Sequence, residues 1–143
     1  MKSTAFYLVL ALLIVVRTSL LVGCAGVAGS YNLTVSLTEQ GMHVKHGKML
    51  LRAAADLVIS YADVQSVQVL NEAPKLKKTV GLNNSNALIG EFKAEGIGDV
   101  TVYALDYKAE GHKYVSVKTK DATYLFSPAA PQGFVDSITA KMK

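Results

Sequence analysis

Residues able to do chemistry are few in this 143-residue chain, and they are scattered. Cys24 is the single cysteine, so it cannot close an internal disulfide and the fold must rest on its hydrophobic core. His43 and His46 flank Val44 and Lys45. On a strand, a spacing of three puts them on opposite faces, so the pair cannot grip one ion without a bend. With no second carboxylate or cysteine alongside, both read as surface histidines, and no metal is expected. Serine, histidine and aspartate occur, but no Gly-x-Ser-x-Gly, Walker or His-Glu-x-x-His spacing gathers them. The chain therefore reads as non-enzymatic, with no catalytic residue and no cofactor. Lys75, Lys77 and Lys78 cluster in what reads as a long loop. They either keep that loop soluble or contact anionic head groups or an acidic partner, each lysine near a membrane adding about 1 kcal/mol. Tyr103, Tyr107, Tyr114 and Tyr124 fall in strand-like stretches and read as packing rather than as a carbohydrate platform.

Composition narrows the partners. Past the first 30 residues, enough chain remains for one compact domain and too little for two. Two of the 15 basic residues, Lys2 and Arg17, precede Cys24; the other 13 against 11 acidic residues leave a balance of +2. So mild a charge argues against nucleic acid as the main partner.

The segment ahead of Cys24 concerns location. Phe6 to Val16 is an unbroken apolar run of eleven residues. That suits the apolar region of a signal peptide and is short for a spanning helix, which needs roughly 20 residues. Leu21-Val22-Gly23-Cys24 resembles the bacterial lipobox. In lipoproteins of that kind a diacylglycerol is attached to the cysteine sulfur and a peptidase cuts just before it. The other reading is an uncleaved anchor helix, which would set Arg17 near mid-bilayer at a cost of roughly 2.5–3.5 kcal/mol. The expected division is residues 1–23 as signal peptide or membrane anchor, 24–30 as tether and 31–143 as the folded domain. Both readings tether the domain to a membrane, by lipid or helix. With Lys2 retained inside, both put it on the extracytoplasmic face of a bacterial envelope.

The folded part is dominated by strand signals. "YNLTVSL" alternates apolar and polar residues, Gln40-Gly41 turns the chain and "MHVKH" continues the alternation, which predicts a hairpin. "KMLLRAAADLVIS" is ambiguous at first, since Met49 to Ala55 fits a helical turn or an extended edge. "DLVISY" then reads as a strand, "ADV" as a tight turn, and "QSVQVL" as a strand. "NEAPKLKKTVGLNNSNA" reads as the longest irregular stretch. "LIGEFKAEG", "DVTVYAL", "KYVSVKT" and "ATYLFS" read as strands joined by turn-forming residues. Pro131 suits the first position of a helix, and Phe134, Val135, Ile138 and Met142 share one of its faces. Some seven strands and one amphipathic helix predict a mainly β barrel or bent sandwich, closed by that helix.

"VISYADVQSVQVL", the glycines of "KTVGLNNSNALIGEFKAEGIGDVTVYAL", and "YVSVKTKDATYLFSPAAPQGFVDSI" resemble the bacterial pleckstrin-homology (PH-like) domain family over roughly residues 31–143. The resemblance implies a bent antiparallel barrel of about seven strands capped by the C-terminal helix, and it brings no catalytic residues. Function read from a fold alone is analogy. Two readings follow. One is a membrane-tethered binding or assembly domain that engages a protein or peptide; the other is an envelope barrel for a lipid or small ligand. An apolar cavity in the barrel would favour the ligand barrel. A filled core with an exposed edge strand would favour the binding domain, through strand addition.

Overall fold

A computed structural model describes residues 32–48 and 54–143. The apolar N-terminal run, Cys24 and the tether lie outside the described residues, as does the start of the ambiguous stretch at Met49. Strand β1 (Thr34–Leu37) and strand β2 (Gly41–His46) form the expected hairpin, and β3 (Ala55–Ser60) completes an antiparallel sheet of order β1-β2-β3. The hairpin turn is held by Thr38, whose hydroxyl donates to the Gly41 carbonyl at 3.0 Å. The expected tight turn after β3 is one 3₁₀ turn, Tyr61–Asp63. The Tyr61 hydroxyl donates to the Thr38 carbonyl at 2.8 Å, so the turn is tied back to the hairpin.

The second sheet has six strands: β4 (Val64–Val69), β5 (Leu76–Asn83), β6 (Ala87–Ala94), β7 (Gly98–Leu105), β8 (Val115–Thr119) and β9 (Thr123–Phe126). Their spatial order is β4-β8-β9-β7-β6-β5. The described residues thus hold nine strands where the sequence predicts about seven. Nor is the sheet purely antiparallel, because β7 and β9 run parallel. The reason is the β8–β9 hairpin: β8 pairs antiparallel with β4, which leaves β9 beside β7 in the same direction. The stretch predicted to be irregular contains β5. Its burial follows no clean alternation, since it lies at a sheet edge and gives little surface to either core.

Two apolar clusters lie on the two faces of the six-stranded sheet. On one face Ile89, Tyr103, Val117 and Phe126 meet Val35, Met42, Val44 and Ile59 of the three-stranded sheet. The helix α1 (Pro131–Lys141) seals this layer with Phe134 and Ile138, both fully buried. Pro131 occupies the first turn, as expected, where its missing N–H leaves no bond unmade. On the other face Leu88, Phe92, Val100, Val102 and Leu125 cluster. Leu70, just past edge strand β4, and Leu76, at the start of the opposite edge strand β5, pack on that same cluster. Both margins meet one core, so the sheet curls around it.

One pair of residues lets β5 and β6 follow this curl. Gly81 and Gly90 stand directly opposite each other with φ of +128° and +137°. A Cβ on either would sit 2.2 Å from a carbonyl oxygen of the facing strand, so only glycine fits.

Candidate functional site

The three lysines do not sit together on a loop. Lys75 ends the link from β4, and its Nζ lies 3.7 Å from the Glu95 carboxylate, both exposed. Lys77 and Lys78 belong to β5, where they face Lys93 and Phe92 of β6. Successive strand residues point to opposite faces, so these two flank the edge from either side. Lys93 is itself engaged by Asp99 at 3.2 Å. A register shift between Lys78 and Val80 makes a bulge at Thr79, and Val80 beyond it is 44% exposed. The sequence hides this arrangement because Pro74, Gly81 and the asparagines around it are loop formers.

Among the described strands β5 pairs with β6 alone, which leaves one side of its backbone unpaired over eight residues. Such an edge is a template for another strand. Lysines and a bulge are also the usual means of blunting an edge, so its selectivity depends on which chains can tolerate two cations there.

Between the sheets the interior is filled. Phe126, Phe134, Met42, Ile89 and Ile138 are the largest of its fully buried side chains, while Phe92 and Leu125 fill the cluster on the other face of the six-stranded sheet. Tyr103 stacks on Phe126 at 5.9 Å, and Phe126 meets Phe134 at 5.7 Å. Two of the clefts among the described residues open on the outside. One, of about 360 Å³, is lined by Leu33, Val35, Tyr103 and Leu105 together with Glu110, His112 and Lys113. Ser127 also lines it, but its hydroxyl donates to the Leu105 carbonyl and accepts the Leu105 N–H, at 3.0 and 2.9 Å. That serine is committed to joining β9 to β7. The other cleft, of about 390 Å³, begins at Thr79 and runs over Glu91, Lys93, Thr101 and Thr123. It mixes these polar groups with apolar ones, Phe92 and Val100 among them, and adjoins the β5 edge at Thr79.

The histidines divide as their spacing requires, but only one lies toward solvent. His43 is half-buried and contacts Asp56, which Lys45 also approaches at 3.6 Å. The hydrogen bond from His43 is the main reason that the Asp56 carboxyl titrates below its ordinary range. His46, expected at the surface, is 3% exposed. Its parity with Met42 and Val44, both inward, carried that signal. The His46 Nδ1 donates to the Gly47 carbonyl at 2.9 Å, and among the described residues its buried Nε2 has no hydrogen-bond partner. Among the described residues no three His, Cys, Asp or Glu side chains gather as metal ligands. The tyrosines pack largely as expected: Tyr103 and Tyr114 are buried and Tyr124 is half-buried. Tyr107 lies past the end of β7, where its hydroxyl donates to the Asn84 carbonyl at 2.6 Å. Burial, and then the neighbouring Tyr107, push the Tyr114 hydroxyl up to about 12.

No helix among the described residues is long and apolar enough to cross a membrane. No curated protein and no solved structure matches the chain. Residues 33–142 match the family model described as a bacterial PH domain. The match takes in both sheets and the closing helix, and the chain belongs to the bacterial PH domain family.

Proposed function

We propose that this protein is a non-enzymatic binding and assembly domain, tethered to the extracytoplasmic face of a bacterial membrane, that engages a protein or peptide. The observation that carries the reading is the open edge of β5 beside a filled interior. A barrel built for a lipid or small ligand needs a concave apolar chamber. Here large aromatic and aliphatic side chains fill that volume, while an eight-residue strand offers unused backbone donors and acceptors. The tether rests on the lipobox-like tetrapeptide ending at Cys24, with residues 1–23 as the signal and 24–30 as the flexible link; an uncleaved anchor helix would serve the same end.

A photo-crosslinking amino acid at Val80, on the edge, compared with one at Glu110, on the cleft rim, tests the binding reading in intact cells. Protein adducts concentrated at Val80 are the expected result. Adducts confined to Glu110, or a lipid that stays bound to the purified chain in fixed ratio, would overturn it.

A further inference from the structure

The proposed binding role leaves the chemistry of the partner open, and β5 restricts it. The strand reads Leu-Lys-Lys-Thr-Val-Gly-Leu-Asn and contains no acidic residue. Among the described residues neither Lys77 nor Lys78 has an ion-pair partner, whereas the nearby Lys75 and Lys93 each have one. We infer that the β5 edge takes an extended segment as an added strand, with acidic residues beside Lys77 and Lys78 and an apolar residue beside Val80. This rests on the proposed binding role and goes further by fixing where the segment lies and what it carries.

The geometry favours a chain over other sources of negative charge. Lys77 shares the face of Lys93 and Glu91, and Lys78 that of Phe92, by the register with β6. A flat array of head groups meets one face of a strand at a time. A segment laid along the edge sends its own successive side chains to both faces, so adjacent acidic residues reach both lysines. A second copy of this chain is the poorer occupant, since it would bring two more lysines to the seam and no acid to answer them. The bulge at Thr79 sets where the segment must adapt. Beyond it Val80 is exposed on the same face as Lys77, the position for an apolar contact.

The test uses the full chain in detergent micelles and a labelled octapeptide: glutamate-aspartate followed by alternating valine and threonine. The expected results are measurable binding, hydrogen-exchange protection of the β5 amides, and weakening by salt as surface ion pairs require. Lys77→Glu/Lys78→Glu should lower affinity at least tenfold, and Lys77→Arg/Lys78→Arg should retain it. Methylation of alternate peptide nitrogens should abolish binding, because strand addition needs those N–H groups. Equal binding by the same peptide opening with two lysines would overturn the inference. So would protection of β5 that appears with protein concentration alone, the mark of a second copy. Binding to anionic vesicles that is lost in the glutamate variant, with the peptide inert, would reassign the lysines to head groups. Should the peptide fail while crosslinks still form at Val80, the acidic segment is wrong and the binding role survives.

Discussion

Tyr61 shows how much one hydroxyl organises. It closes the 3₁₀ turn onto the hairpin through Thr38, and Lys141 of the closing helix lies over its ring at 5.9 Å. Burial, and then the charge of Glu39, push this hydroxyl up to about 12, so it remains a donor throughout the working range of pH. Tyr61→Phe should cost about 1 kcal/mol, as for other buried hydrogen bonds, read as a lower urea midpoint with an unchanged slope. His112 sets a pH dependence of the opposite kind to a salt-bridged histidine. Its ring stands edge-on to Tyr114 at 4.8 Å, and burial lowers its pKa from the ordinary 6.5. The unfolded chain therefore takes the proton first. The contribution to stability is complete above pH 6.5 and is lost as the pH falls through the lower folded value. His112→Phe should flatten the melting temperature between pH 7.5 and 5.5 relative to the parent chain; equal slopes would contradict it. Neither residue advertised these roles in the sequence. Tyrosine and histidine fit surface and core alike, and only their neighbours across the fold decide.

At the scale of elements, legibility followed burial. Strands β1, β2 and β8 alternate apolar with polar residues, so the period-two pattern found them. Strands β6 and β7 are buried on both faces and read instead as β-rich runs bounded by turn formers. The helix was equally plain: Pro131 opens it, and Phe134 and Ile138 fall on one stripe. Phe134 is fully buried against Phe126, and Phe134→Ala should cost roughly 3–5 kcal/mol, measured by chemical denaturation. Strand β5 escaped because none of its residues is fully buried, so backbone pairing holds it and no face of it carries an apolar pattern. Its bulge and its glycine broke what period remained. The candidate site lies on the one long strand that the pattern missed, while the lysines that mark it were visible as a cluster.

For the whole molecule, the tether and the domain are separable questions. The mature chain is expected to begin at Cys24 with a diacylglycerol on its sulfur. Intact mass of membrane-extracted protein decides this, and a species that keeps Met1 to Gly23 with an unmodified thiol would leave the anchor helix in its place. The family and its mainly β plan were legible in the sequence from the run of strands, the glycines among them and the closing helix. The division into two sheets and the parallel contact of β7 with β9 were not. They depend on which strands meet across long stretches of chain, and local pattern holds no record of that. Strand β4 makes the point in time as well as in space. Val69 pairs with Val115 and Val64 with Thr119, so β4 must wait through a closure of about fifty residues, some 2 kcal/mol dearer in entropy than a tight hairpin. The β5–β6–β7 meander needs no such wait. In pulse-labelled refolding its amides should be protected before those of β4, which makes the fourth strand synthesised among the last to find its place.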